Sequence, residues 1–410
     1  MKTTAKTQRY IDLEEKYGAH NYQPLPVVLS KGEGCRVEDV DGKQYYDFLA
    51  AYSAVNQGHC HPKIVAALKE QAETLCLTSR AFYNDSLGPY EEYMHRYFGY
   101  DKVLPMNTGA EGVETALKLT RKWGYLKKGI PNDEALVVVC EGNFHGRTLA
   151  VISLSTDPDA RGDYGPYLPG IEVIPYNDAG ALEALLKEKG DRVAGFLVEP
   201  IQGEAGVFVP DEGYLKRCAE LCKEHNVLFI ADEVQTGIGR TGRMLCCDHE
   251  GVRPDIVILG KAFSGGVLPV SAVLADDEVM LTIQPGQHGS TFGGFPLANR
   301  VAMAALEVVK EEELVEKAER LGQIFREEVR KIENPLLGQV RGKGLLNAVV
   351  IHPHKGKEAW DLCLKMAENG LLAKPTHRHI IRFAPPLMIS EEQLREAINI
   401  ISESCKQLLK

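Results

Sequence analysis

The chain has 410 residues, 44% hydrophobic and 25% charged, with a formal net charge of -10; this suits a globular protein large enough for two domains. The acidic balance argues against nucleic acid or an anionic membrane as a main partner, and no apolar run approaches the ~18 residues of a transmembrane helix. Ten cysteines without a C-x-x-C pair read as reduced thiols rather than a disulfide scaffold or a zinc site.

The start, Met1 to Tyr10, has no apolar core and leads into Asp12, Glu14 and Glu15. A secretory signal is therefore not expected, and the expected location is the cytoplasm, or the mitochondrial matrix if a transit peptide has been removed. Residues 4–18 predict a helix. Residues 26–29 and 36–49 predict extended segments, with a hairpin turn at Asp41-Gly42. The stretch Tyr52 to Pro62 is turn-rich. Its His59-Cys60-His61 invites a metal reading, but adjacent ligands seldom suit one tetrahedral site, and a packed loop is expected. Ile64, Ala67, Leu68, Ala72 and Leu75 mark an amphipathic helix.

From residue 100 the pattern becomes strand, loop, helix. Val103–Met106, Leu136–Cys140, Gly195–Val198, Val227–Ala231, Ile256–Leu259 and Val270–Ala275 predict strands. Helices are predicted between several of them, notably at 179–188 and 213–225. Continuous apolar strands alternating with helices imply a parallel sheet covered on both faces, with ligands at the carboxyl ends of its strands. One helix is predicted over 297–330. The tail reads as a smaller α+β unit, with strands near 345–351 and 380–383 and helices near 357–369 and 390–408.

Several strand ends carry chemistry. Thr108-Gly109-Ala110 opens a helix and could cradle a phosphate, although any such turn may hold glycine. Gly142-Asn-Phe144-His145-Gly-Arg147 offers an aromatic plate and a guanidinium; core packing of Phe144 is the plainer alternative, and His145 reads as a packed or hydrogen-bonding residue. Glu199 and Glu204 read as acids of an exposed loop. Asp232 could hold a protonated ring nitrogen. Lys261, between Gly260 and Ala262, could form a Schiff base if burial makes its amine nucleophilic; alone, a lysine after a strand is most often a solvated end. Gly237-Ile-Gly-Arg-Thr-Gly242 matches G-x-G-x-x-G, but it neither abuts its strand nor clearly opens a helix, so a dinucleotide-binding enzyme is a weak rival.

Together these features fit pyridoxal phosphate, and no metal. On these motifs, and along nearly the whole chain from Tyr17-Gly-Ala-His-Asn-Tyr22 to Arg382-Phe-Ala-Pro-Pro386, the sequence resembles the fold-type I, class III aminotransferases. The resemblance implies an α/β fold with a large, mainly parallel-sheet domain over 49–296 and a smaller α+β domain over 297–410, which the segment 1–48 joins. It implies transfer of the δ-amino group of ornithine to 2-oxoglutarate. Lys261 would carry the cofactor and shuttle the proton, Asp232 would pair with the ring nitrogen, and Gln235 would bind the ring's phenolic oxygen. Phe144 and Val234 would cover the ring faces, and the Gly109 and Ala110 amides would take the phosphate. Ser290 and Thr291 would reach that phosphate from a partner subunit, implying a homodimer with shared sites. Tyr52 and Arg147 would hold the α-carboxylate end of ornithine. Glu204 would mask Arg382 until glutamate binds. Members that use acetylornithine generally lack a tyrosine at position 52. Two departures from the family pattern are Phe295, where Asn is common, and His145, where animal members tend to carry Trp. A protein of this fold that binds without turnover is the remaining alternative.

Overall fold

Runs without polar side chains can be covered on both faces, and those in the middle of the chain form one sheet. In the computed structural model, which describes residues 3–410, seven strands lie in the order Lys102–Met106, Ser271–Ala275, Ile256–Leu259, Leu228–Asp232, Val193–Val198, Leu136–Cys140, Ile171–Ile174. Every residue of Val193–Val198, Leu228–Asp232, Ile256–Leu259 and Ser271–Ala275 is buried. Neighbours run parallel except Ser271–Ala275, which is antiparallel to both strands beside it. An apolar run carries no sign of its direction, so that reversal is invisible in the sequence. Ile171–Ile174 is an unforeseen edge strand, since four residues interrupted by Glu172 make no long apolar run.

The helix Gly109–Trp123 follows the first strand and buries Val113, Ala116, Leu117 and Thr120 on one face. Its start is fixed reciprocally: Glu111 N donates to Thr108 Oγ1 at 3.2 Å, and Thr108 N donates to Glu111 Oε2 at 3.0 Å. The single helix expected over 297–330 is instead two, Pro296–Glu311 and Leu314–Arg330. The break falls at Glu312-Glu313, where Glu313 takes a left-handed φ of +52°. Good helix formers on both sides hide a turn that no glycine or proline announces.

Two smaller sheets complete the fold. Leu29–Glu33, Arg36–Asp39 and Gln44–Asp47 are joined by Leu371–Leu372, so the N-terminal strands pair with the far end of the chain. The second sheet orders Leu337–Lys343, Leu346–Ile351, Ile380–Phe383 and Lys374–Thr376, all antiparallel. Phe48, Phe325 and Phe383 pack with ring centroids 5.5–6.3 Å apart, locking the first sheet, a long helix and the second sheet together.

The glycine-rich Gly237–Gly242 segment is a buried loop. Its Arg240 is fully buried and donates to Leu345 O at 3.0 Å, Pro385 O at 2.7 Å and Asn56 Oδ1 at 3.1 Å. Burial pushes the Arg240 pKa down to about 9. The segment ties the C-terminal sheet to the large one. His59 pairs with Asp47 at 2.7 Å and His61 with Glu312 at 2.8 Å. Among the described residues no His, Cys, Asp or Glu group could hold a metal, and all ten cysteines are free.

Candidate functional site

Parallel strands bring their carboxyl ends to one edge, and the turns there converge on a cavity of about 180 Å³. Gly109, Ala110, Phe144, Glu199, Asp232 and Lys261 line it, each ending or following a different strand except the first two, which share one.

Lys261 stands two residues beyond Leu259 and opens a short turn with φ of +45°, an uncommon conformation for a residue other than glycine. Burial lowers the pKa of its amine; Asp232 opposes the shift and Arg382 adds to it. A larger neutral fraction at a given pH makes this nitrogen a better nucleophile.

Asp232 ends its strand only 5% exposed. One oxygen accepts from Val234 N at 3.1 Å, and the other lies 2.7 Å from His145 Nδ1. Burial pulls the His145 pKa down, but its hydrogen bond and attraction to Asp232, with Glu199 adding, outweigh burial and the net shift is upward. Glu199 is not the exposed loop acid expected: it is 7% exposed and accepts from Phe144 N at 2.8 Å. Its pKa is pushed up to about 7 by burial, against the pull of His145. Val198 before it belongs to a fully buried strand, and that burial carries one residue past the apolar run.

Close approach is built in. A Cβ on Gly109 would lie 2.9 Å from Val234 Cγ1, and one on Gly203 would lie 1.4 Å from Gln235 Oε1. Among the described residues, Gln235 Oε1, His145 Nε2 and Arg382 Nε are buried without a partner. Buried polar atoms are nearly always paired, so two on residues lining the cavity, Gln235 and His145, fit a polar ligand. Gly109 and Ala110 open a helix, where amides lack intrahelical acceptors and favour an anion. An amine, a buried carboxylate, an aromatic ring and an anion-binding helix start match what pyridoxal phosphate requires.

Beyond these groups, Arg382, 4% exposed, donates from Nη1 to Glu204 Oε2 at 2.8 Å. Its guanidinium carbon lies 5.0 Å from the centre of the Tyr52 ring. Tyr52 belongs to four consecutive non-glycine residues with left-handed φ, Ala50 to Ser53 at +46° to +71°. Such residues cost about 1–2 kcal/mol each and persist only where surroundings impose them. Asp47 Oδ1 does so by accepting from Leu49 N at 2.9 Å and Ala50 N at 2.8 Å.

Five residues named from the sequence do not line this cavity: Tyr52 and Arg382, the latter paired with its lining residue Glu204, and Arg147, Ser290 and Thr291. Arg147 is exposed, with its guanidinium carbon 5.5 Å from the Phe144 ring centre. Ser290 Oγ accepts from Asn107 Nδ2 at 2.8 Å and from Gly293 N at 3.2 Å, and Thr291 is exposed. Conversely, Ile201, Thr236 and His145 line the cavity without having been picked out as site residues. For His145, the signal was its place beside Phe144.

The family model for class-III aminotransferases matches residues 17–405. The chain is 59% identical over 415 aligned positions to an ornithine aminotransferase of Schizosaccharomyces pombe, covering 99% of this chain and 95% of that one. Its fold superposes on the ornithine aminotransferase of Toxoplasma gondii with a TM-score of 0.96 at 50% identity, covering 100% and 96% of the two chains. An acetylornithine aminotransferase from Elizabethkingia anophelis is 58% identical, with a TM-score of 0.90 over 98% and 99% of the chains. A match of this extent, on a cavity of this chemistry, leaves one conclusion: the chain belongs to the class-III aminotransferases.

Proposed function

We propose that this chain transfers the δ-amino group of L-ornithine to 2-oxoglutarate, yielding glutamate and glutamate-5-semialdehyde, which cyclises to pyrroline-5-carboxylate. Pyridoxal phosphate, when bound, supplies a carbonyl for the amine and an electron sink for the reacting carbon. Lys261 Nζ would hold the cofactor through that carbonyl and, once freed, would take and return the proton at the reacting carbon. Asp232 keeps a ring nitrogen protonated, and His145 orients that carboxylate. Gln235 binds the phenolic oxygen, Phe144 and Val234 confine the ring, and the Gly109 and Ala110 amides bind the phosphate. Tyr52 and Arg147 hold the α-carboxylate of ornithine.

The observation that carries the reading is the Glu204–Arg382 pair at 2.8 Å beside Tyr52. Ornithine offers its δ-amine and glutamate its α-amine at the same point, yet only glutamate brings a carboxylate next to the reacting amine. A bare Arg382 would draw in ornithine by its α-end. Glu204 blocks that mode, which is specificity by excluding the wrong alignment. Arg382→Ala will slow the glutamate half-reaction about two decades more than the ornithine one, as removing one partner of a charged contact costs ~2–5 kcal/mol. Glu204→Ala will weaken the preference for δ- over α-transamination. Single-turnover rates of each half-reaction decide it; equal losses in both halves with unchanged regiochemistry would sink the switch.

The 58% identity to an acetylornithine aminotransferase supports a second reading. Ornithine, N-acetylornithine and 4-aminobutyrate offered as donors with 2-oxoglutarate separate the two: ornithine will be strongly preferred, and preference for the acetylated donor overturns the proposal.

We further propose a homodimer in which Ser290 and Thr291 of the partner subunit complete the phosphate site. What supports it is their place outside their own chain's cavity and the exposed Phe292 beside them, 49% accessible. Mixing inactive Lys261→Ala chains with chains silenced at Thr291 will restore some activity through hybrid dimers. Proven subunit exchange without returning activity would end the shared-site claim. The division 1–48, 49–296 and 297–410 stands as our reading of the domains. No described helix is long and apolar enough to cross a membrane; the rat relative is mitochondrial by name, and the cytoplasm is our proposal for this chain.

A further inference from the structure

The switch leaves one question open in chemical terms. When a substrate carboxylate takes Arg382, the displaced Glu204 carboxylate needs a new cation, because a partly buried charge without a partner is costly. The sheet supplies one. Lys374 is the direct cross-strand partner of Arg382, and Thr376 that of Ile380. Directly opposed residues of an antiparallel pair, and residues two apart on one strand, project from the same face. The loop carrying Glu204 lies against that face. Thr376 Oγ1 donates to Glu204 O at 2.8 Å, a Cβ on Gly206 would meet Ile380 Cδ1 at 2.5 Å, and Arg341 holds Gly206 O from two nitrogens at 2.8 and 3.0 Å.

Lys374 is half-buried, and among the described residues no hydrogen bond or ion pair engages its ammonium. Its ammonium lies 5.9 Å from the centre of the Tyr22 ring. Burial lowers its pKa, with Glu204 opposing and Arg382 adding to the shift. A lysine kept without an acceptor beside an ion pair that must open is suited to receive the acid that the opening frees.

We propose that Lys374 is a positioning residue that holds the Glu204 carboxylate while glutamate or 2-oxoglutarate occupies Arg382. It rests on the switch reading above. Its role is specific to one half-reaction: ornithine leaves Glu204 on Arg382 and does not call on Lys374.

The test is a double-mutant cycle on the cofactor-loaded enzyme, read by single-turnover kinetics of each half-reaction. Lys374→Met will weaken the 2-oxoglutarate half-reaction about tenfold in kcat/KM, the size of one partly shielded ion pair, and leave the ornithine half within about twofold. Lys374→Arg will restore it. In a Glu204→Ala background, Lys374→Met will have no further effect, because the group it holds is gone. Equal losses in both halves, or no loss in either, overturn the proposal. So does a loss that persists undiminished without Glu204, which would mean Lys374 touches substrate itself. If Glu204→Ala alone leaves δ against α preference unchanged, the switch fails and this inference falls with it; a failed Lys374 cycle beside an altered Glu204→Ala preference removes only Lys374.

Discussion

Replacing Lys261 with alanine will abolish multiple turnover and leave the fold intact. On the proposed reading the amine does two things at one atom: it holds the cofactor, and it moves a proton at the reacting carbon. Proton transfer by a positioned group contributes about 10²–10⁴-fold by itself, and the covalent role is lost as well. The fold should not suffer. The Lys261 ammonium is disfavoured by burial, so truncation removes a cost rather than a contact. The left-handed φ of +45° is no easier for alanine, and the neighbouring turn is held by Phe263 N donating to Gly260 O at 3.0 Å. The check pairs steady-state turnover with a thermal melt and with the visible absorption of the bound cofactor. Near-normal transamination by the variant would end the assignment of Lys261. Unfolding without turnover would leave the assignment to Lys261→Arg, which keeps charge and length but not a readily deprotonated amine, and must also be inactive.

Much of this site was legible because its groups sit where apolar runs stop. Leu136–Cys140 and Ile256–Leu259 were read to the residue, as a run of four or five mostly β-branched residues with no polar member is too short for a helix and suits a buried strand. The residues just past such runs, Asp232 and Lys261, then fall at the carboxyl edge by topology alone. Glu199 was misread by the same logic, for a carboxylate at a run's end looks like the first solvated residue. Only the fold shows that the Phe144 amide donates to it and that His145 acts on it by charge. Arg240 was missed for a similar reason: a guanidinium among glycines reads as surface, and the carbonyls of Leu345 and Pro385 that satisfy it lie more than a hundred residues away. Tyr52, Arg147, Ser290 and Thr291 are different in kind. No periodicity or spacing marks them, and they entered through resemblance to a family. The face shared by Lys374 and Arg382 needs strand register, which neither apolar patterning nor resemblance supplies.

Asp232→Asn will cripple the electron sink while keeping the shape of the site. Amide and carboxylate are nearly isosteric, so the packing is unchanged: the amide oxygen can still accept from Val234 N, and the NH2 that replaces the other oxygen faces His145 Nδ1, which accepts from it as a neutral imidazole. What disappears is the negative charge that, on the proposed reading, keeps a ring nitrogen protonated. Removing one partner of a buried charge pair costs ~3–5 kcal/mol, and at ~1.4 kcal/mol per tenfold the rate falls about two to three and a half decades. A loss under about threefold with cofactor retained would mean that Asp232 does not face the ring nitrogen. The same substitution has a signature in the apoprotein that a packing defect would not copy. The Asp232 contact raises the His145 pKa above its unfolded value, so its stabilisation is fully present below that unfolded value, about 6.5. It is lost as pH rises through the higher folded pKa. Glu199, held neutral up to about 7, works in the same direction: the folded state binds its proton more tightly, so stability is again lost as pH climbs toward that value. Asp232 helps to raise both groups, directly at His145 and by like charge at Glu199. The apoprotein should therefore lose stability from pH 5 to pH 8 less steeply in Asp232→Asn than in the parent chain. Chemical denaturation of the two apoproteins across that range measures it, and parallel profiles would show that Asp232 does not couple to this cluster.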